Sequence, residues 1–108
     1  MHEIKAIIRR ERVADVVRAL HERPDLPGVT ISHVEGIGRI PHATGTAEFG
    51  EVLMAKLETV VSTDLTPWVV DTIKRAGFTG RAGDGKIFVI RVEQAVQIRS
   101  GAQGPEVL

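Results

Sequence analysis

Two glycine-rich segments hold the residues whose types could bind an anionic ligand. The first is Gly83-Asp84-Gly85-Lys86, in which two glycines let backbone N–H groups approach an anion and the lysine adds a positive charge. The second is Gly36-Ile37-Gly38-Arg39, whose glycines permit close approach of an adenine ring or a phosphate. Each also has a simpler interpretation, since an Asp-Gly pair commonly forms a plain turn and paired glycines can form a hinge. The first segment lacks the spacing of a P-loop.

Other residue types argue against catalysis and metal binding. The chain has no Cys, and its four histidines are scattered over positions 2, 21, 33 and 42 without the spacing of a metal site. No Ser-His-Asp arrangement and no pair of carboxylates placed for acid–base chemistry is evident. We therefore predict that the protein is not an enzyme and has no structural metal.

The composition indicates a globular protein. The 108 residues are 43% hydrophobic and 26% charged, which predicts a single domain over residues 1–108. Because 14 basic residues balance 14 acidic ones, we expect no nucleic-acid partner. No apolar run approaches the roughly 20 residues that span a bilayer, and no secretory signal is evident. We expect a cytoplasmic protein without membrane insertion.

Hydrophobic periodicity predicts the elements that must position the two glycine segments. Alternation of apolar and polar residues predicts strands, and apolar residues at i, i+3, i+4 and i+7 predict helices. The predicted strands are 2–8, 29–35, 52–62 and 86–92, and the predicted helices are 11–23 and 65–76. Residues 37–50 show neither period and are predicted to form a long exposed loop, and residues 100–108 a short irregular tail.

The order of these elements predicts a fold. Two β-α-β halves with similar internal spacing are typical of an α+β ferredoxin-like βαββαβ sandwich, an antiparallel four-stranded sheet with two helices on one face. The other face would be open. By strand parity this open face carries Lys5, Ile7, Lys56, Glu58, Val60 and Arg91, or their neighbours if the register slips. It could be solvated, but we favour a symmetric oligomer in which such faces meet.

The segments IKAIIR, GVTISHVEGIGR, KLETVVSTD and GDGKIFVIRVEQAVQIRSG resemble the PII nitrogen-regulatory signal proteins over residues 4–101. The resemblance implies a homotrimer that binds ATP or ADP, with AMP also possible, in clefts between subunits. It further implies a regulatory role, in which the loop 37–50 (the family's T-loop) contacts a target such as a membrane transporter or a metabolic enzyme.

The resemblance also assigns residues. Thr30 and Gly36 match positions beside the adenine and ribose, Ile7 matches the adenine cleft, and Arg99 matches a phosphate-binding arginine. The nucleotide-binding residues implied in full are Ile7, Thr30, Gly36, Ile37, Gly38, Arg39, Gly83, Gly85, Lys86 and Arg99. The partner-binding residues implied are Arg39, His42, Thr44, Glu48 and Phe49.

The chain departs from the family pattern at several positions. Ile40 replaces a glutamine that helps hold magnesium and 2-oxoglutarate, and an aliphatic side chain cannot coordinate a hard cation. Gln97 replaces a second phosphate arginine, and Met54 stands where a basic residue is expected. We expect weaker triphosphate binding, because each lost charge-assisted contact removes about 1.5–3 kcal/mol. The chain has no Tyr, which excludes uridylylation of a loop tyrosine.

Two alternatives remain open from the sequence. The trimer could be a nucleotide-independent interaction scaffold linked to metal or anion transport. It could also be a small enzyme, since this fold hosts many chemistries, although no nucleophile and base are paired in the sequence.

Overall fold

The sheet is antiparallel, with strand order β2-β3-β1-β4. The computed structural model describes the backbone of residues 1–41 and 47–108, and the side chains of residues 1–38 and 52–108. The elements are β1 His2–Arg9, α1 Val13–Leu20, β2 Thr30–Pro41, β3 Ala47–Val61, α2 Thr66–Gly77 and β4 Gly85–Arg91, with short 3-10 turns at Arg10–Arg12 and Pro105–Val107. The predicted order of elements and the ferredoxin-like sandwich are thereby confirmed.

Both helices pack on one face of the sheet, which we call the covered face. Ile4, Ala6 and Ile8 of β1 alternate with half-buried residues, so every second side chain faces the helices. The fully or almost fully buried side chains on the strands and helices include Ile4, Leu57, Val61, Val16, Leu20, Val69 and Ile73. Burying each such side chain contributes about 1.5–3 kcal/mol, which makes this layer the main source of stability.

The first helix is shorter than the predicted 11–23. It begins after the 3-10 turn Arg10–Arg12 and ends at Leu20, and Pro24 disfavours a helical conformation of Arg23 before it, which prevents the helix from reaching 23. Arg12 donates from Nε and Nη2 to the carbonyl oxygen of Ala76, at 2.9 and 2.6 Å. This side chain joins the start of α1 to the last turn of α2, where carbonyls lack helical partners.

Strands β2 and β3 extend well into the segment for which the sequence predicts a loop. The pairing continues through Gly36↔Val52 and Gly38↔Gly50 to Pro41↔Ala47. The predicted loop bounds of 37 and 50 were therefore wrong, because backbone hydrogen bonds hold a ladder whose glycines obscure any side-chain alternation. Residues 42–46, and with them the predicted partner-binding residues His42 and Thr44, lie outside the described residues.

The open face has the predicted membership on β1 and β3. Lys5 pairs with Glu58 and Ile7 pairs with Lys56, and all four side chains are half-buried. Arg91 was assigned to this face wrongly, since it pairs with His2 and therefore lies on the covered side. The residues that β4 places on the open face are Lys86, Phe88 and Ile90, one register position away.

Candidate nucleotide-binding groove

The turn that leads into β4 depends on its glycines. Gly85 has φ +104°, and a Cβ atom there would lie 1.7 Å from the carbonyl oxygen of Ile7. Gly83 also has a positive φ of +92°. L-residues other than glycine strongly disfavour these angles, and backbone atoms cannot give way easily. The turn therefore runs directly against β1, closer than any side chain at position 85 would allow.

The Asp84 carboxylate holds this turn together through hydrogen bonds that it accepts. These come from Thr79 N at 2.8 Å and Gly80 N at 3.0 Å, from the Thr79 hydroxyl, and from Arg9 Nε at 2.8 Å. These bonds, first that of the Thr79 hydroxyl and then that of Arg9, hold the pKa of Asp84 well below its ordinary value. Arg9 also donates to the carbonyl oxygen of Ala82 at 2.6 Å. The loop before Lys86 is thus held in one shape.

An open groove of about 420 Å³ lies on the open face beside this turn. It brings together most of the residues that the sequence predicts to bind nucleotide. Those that line it are Ile7, Gly36, Ile37, Gly38, Gly83, Gly85 and Lys86. Residues from all four strands and the turn meet here, because Ile7 of β1 pairs with Lys86 of β4 and β3 lies between β1 and the glycines of β2.

The walls of the groove are largely apolar. Val52, Met54 and Phe88 line it in addition to the predicted residues, and Met54 is almost completely buried. Sequence reasoning did not assign these three to the ligand, although alternation along β3 and β4 places them on the same face as Ile7. Glycine backbone, a flat apolar wall and one lysine together suit a planar ring that carries an anionic group.

Two predicted residues with described side chains, Thr30 and Arg99, do not line the groove. Thr30 pairs with Glu58 at the far end of β2 from Gly36, about 20 Å away at the usual rise per strand residue. Arg99 lies in the carboxyl-terminal segment. Arg39 pairs with Phe49, and the side chains of both lie outside the described residues, as does that of Glu48.

The carboxyl-terminal segment has more structure than an irregular tail. An isolated bridge joins Val96 to Gln103, and Gln97 N donates to Ala102 O at 2.8 Å. Ser100 Oγ donates to Gln97 Oε1 at 2.6 Å, so Gln97 is engaged within this turn. Arg99 is exposed near its tip, and Ile98 beside it is 100% exposed. The turn therefore presents one cation and one large apolar side chain to the outside.

Within residues whose side chains are described, no group of three or more His, Asp or Glu is placed to hold a metal ion. No helix in the described part of the chain is long and apolar enough to cross a bilayer.

Comparison with known proteins places this geometry in a family. The family model described as "Nitrogen regulatory protein P-II" matches residues 1–102. Nitrogen regulatory protein P-II of Bradyrhizobium diazoefficiens is 38% identical over 96% of this chain and 96% of its own length. Nitrogen regulatory protein P-II 1 of Escherichia coli is also 38% identical, over 95% of this chain and 96% of its own.

A solved structure supports the same assignment. The crystal structure of Arabidopsis thaliana PII bound to citrate superposes with a TM-score of 0.80 at 34% identity, covering 97% of this chain and 89% of that one. The match extends over both the sheet and the helices. The chain therefore belongs to the P-II family of nitrogen regulatory proteins, whose members are regulatory signal proteins and not enzymes.

Proposed function

We propose that this protein is a cytoplasmic regulator that binds an adenine nucleotide in the open-face groove and controls a target protein through residues 37–50. P-II proteins are signal-transduction regulators that bind small effector molecules and interact with themselves and with targets. The observation that carries the proposal is the convergence of Ile7, the two glycine segments and Lys86 on one groove.

Different residues of the groove suit the adenine ring and the phosphate of a nucleotide. Ile7, Met54 and Phe88 offer apolar surface to the adenine ring. In the proposed complex the backbone around Gly83 and Gly85 donates N–H groups to a phosphate, and Lys86 neutralises part of its charge. Since Asp84 is occupied by its own hydrogen bonds and by Arg9, its carboxylate repels the phosphate less than a free carboxylate would.

A second copy of the chain would complete the site. Thr30 and Arg99 lie away from the groove of their own chain, so they contribute only if another subunit brings them there. The open face favours such assembly, because Phe88 and Ile90 are 47% and 40% exposed on it within one chain. We propose a homotrimer, which light scattering at micromolar concentration would reveal. A monomer at that concentration would remove this part of the proposal.

Charge decides which nucleotide is preferred. Lys86, Arg99 and Arg39 remain as cations for the phosphates, whereas Gln97 and Met54 bring none. We therefore expect ADP or AMP to compete effectively with ATP. Ile40 offers no ligand to a cation, so we expect 2-oxoglutarate with magnesium to have no effect through that position.

Titration calorimetry with ATP, ADP, AMP and cyclic AMP tests the site. We expect heat with at least one of them, and Lys86→Ala should weaken binding by about 10- to 100-fold. Arg75→Ala is the matched control, because it removes a cation that is paired with Asp71 on the outer surface of α2. No heat with any nucleotide for the unaltered protein would contradict the proposal and leave the nucleotide-independent scaffold.

A further inference from the structure

A second cavity lies on the other side of the turn that forms the groove, between the end of α2 and the start of β4. Its volume is about 230 Å³. Ile8, Ile73 and Ile87 line it from the sheet and the helix, and Phe78 lines it with a side chain that is 69% exposed. Cavities of roughly 150 Å³ with such apolar linings hold a molecule the size of benzene. The cavity therefore has room for a small hydrocarbon body.

The charged groups around this cavity leave a positive balance. Lys74 and Lys86 both line it, and within the described side chains neither forms an ion pair. Asp84 lines it as well, but its two oxygens already accept the bonds from Thr79, Gly80 and Arg9. An anion at the mouth of the cavity would thus meet two ammonium groups, while the charge of the Asp84 carboxylate is balanced by Arg9.

We propose that this cavity binds a small carboxylate with an apolar body, such as an arylacetate or a short fatty acid. The apolar lining takes the hydrocarbon, which leaves water, and Lys74 pairs with the carboxylate. Inorganic phosphate would contact only the lysines and would leave the apolar part of the cavity unfilled. Ile7, Asp84, Gly85 and Lys86 line both this cavity and the groove, whereas Ile73, Lys74 and Phe78 line this cavity alone, so variants of these three test it separately from the nucleotide site.

The test titrates phenylacetate into the protein and monitors binding by the chemical shifts in two-dimensional NMR spectra. We expect shifts concentrated at residues 73–78 and 84–87, with saturation at millimolar concentration. Lys74→Ala should weaken binding about fivefold, and Phe78→Ala should weaken it by a similar factor through lost apolar contact. Both side chains are exposed, so neither substitution threatens folding.

Two controls test the contribution of Lys74 and that of the ligand's negative charge separately. Arg75→Ala removes the next cation of α2, which does not line this cavity, and should bind phenylacetate as the unaltered protein does. Phenylacetamide has the same shape without the charge and should bind at least fivefold more weakly. The proposal is overturned if amide and acid bind equally, if Lys74→Ala and Arg75→Ala behave alike, or if the shifts fall on Gly36, Gly38 and Val52, which line only the groove. Because ADP binding by Lys74→Ala should be unchanged, failure here leaves the nucleotide site untouched.

Discussion

The two faces of the sheet differ although they are built from the same strands. On β3, Leu57 is fully buried beneath the helices, while its neighbour Glu58 on the open face is half-buried. The covered face is completed by the chain's own helices. The open face combines Lys56 and Glu58 with apolar Phe88 and Ile90 and carries the groove. The comparison indicates that one face maintains the fold, while the other is left uncovered within a single chain.

The largest effect should come from Gly85→Ala, at the point where β4 approaches β1. A Cβ atom would overlap the Ile7 carbonyl oxygen at 1.7 Å and the residue would keep its φ of +104°. Strain and overlap together should lower the free energy of unfolding by about 4 kcal/mol. Urea denaturation measures the loss. Gly28→Ala is the control, because a Cβ there meets no atom within 4 Å, and equal losses at the two positions would refute the argument.

Leu57→Ala tests the covered face. Removing this fully buried side chain should lower the free energy of unfolding by about 3 kcal/mol. Val60→Ala, on the opposite face of the same strand, should cost less than about 1 kcal/mol in the isolated chain. If the open faces meet in an oligomer, Val60→Ala should instead lower the melting temperature most at high protein concentration, where the unaltered protein is assembled. Equal and concentration-independent losses would remove the distinction between the faces.

Acid should lower the stability that Asp84 gives to the turn bordering the groove. Since the pKa of Asp84 is lowered in the folded chain, its ionised form contributes stability above its unfolded value of 3.8, and this contribution is lost as the pH falls below that value. Asp84→Asn should therefore be less stable than the unaltered protein at pH 7, with the difference shrinking at pH 3. Acid titration followed by circular dichroism measures this. A constant difference across the range would show that the carboxylate charge has no role.

The smallest effect should come from the ion pair on the open face. Lys56 Nζ lies 3.5 Å from Glu58 Oε1, and both side chains are 33% exposed. Lys56→Ala should change the free energy of unfolding by less than about 1 kcal/mol, because solvent screens such pairs. Denaturation at low and high salt measures it. A loss above about 2 kcal/mol would mean that these charges are desolvated already in the single chain.

Local periodicity was sufficient to predict the covered face. The alternation Ile4, Ala6, Ile8 and the stripe Val16, Leu20 predicted both the elements and the side that faces the core. These signals are strong because burial acts on every second strand residue or every third to fourth helix residue. The glycine segments around Gly36 and Gly85 were likewise predicted to bind a ligand, and the fold brings them to one groove.

Local periodicity did not predict the pairing of residues 36–41 with β3 or the register of β4. The ladder from Gly36 to Pro41 depends on backbone hydrogen bonds to β3, which leave no pattern in side chains when glycines intervene. The position of Arg91 depended on pairing with His2, and a shift by one residue exchanges the faces. The role of Asp84 was missed as well, because its partner Arg9 lies far away along the chain.

The amino-acid sequence by itself determined the order of the elements, the residues of the core and the two glycine segments, since these follow from periodicity and from the conformations open to glycine. Only the tertiary structure decided the strand register, the bonds that Arg9 and Thr79 make with Asp84, and the meeting of Ile7, Gly36 and Lys86 at one groove. The physical reason is that these features join residues distant along the chain, and such contacts are set by packing and pairing of whole elements rather than by local preference.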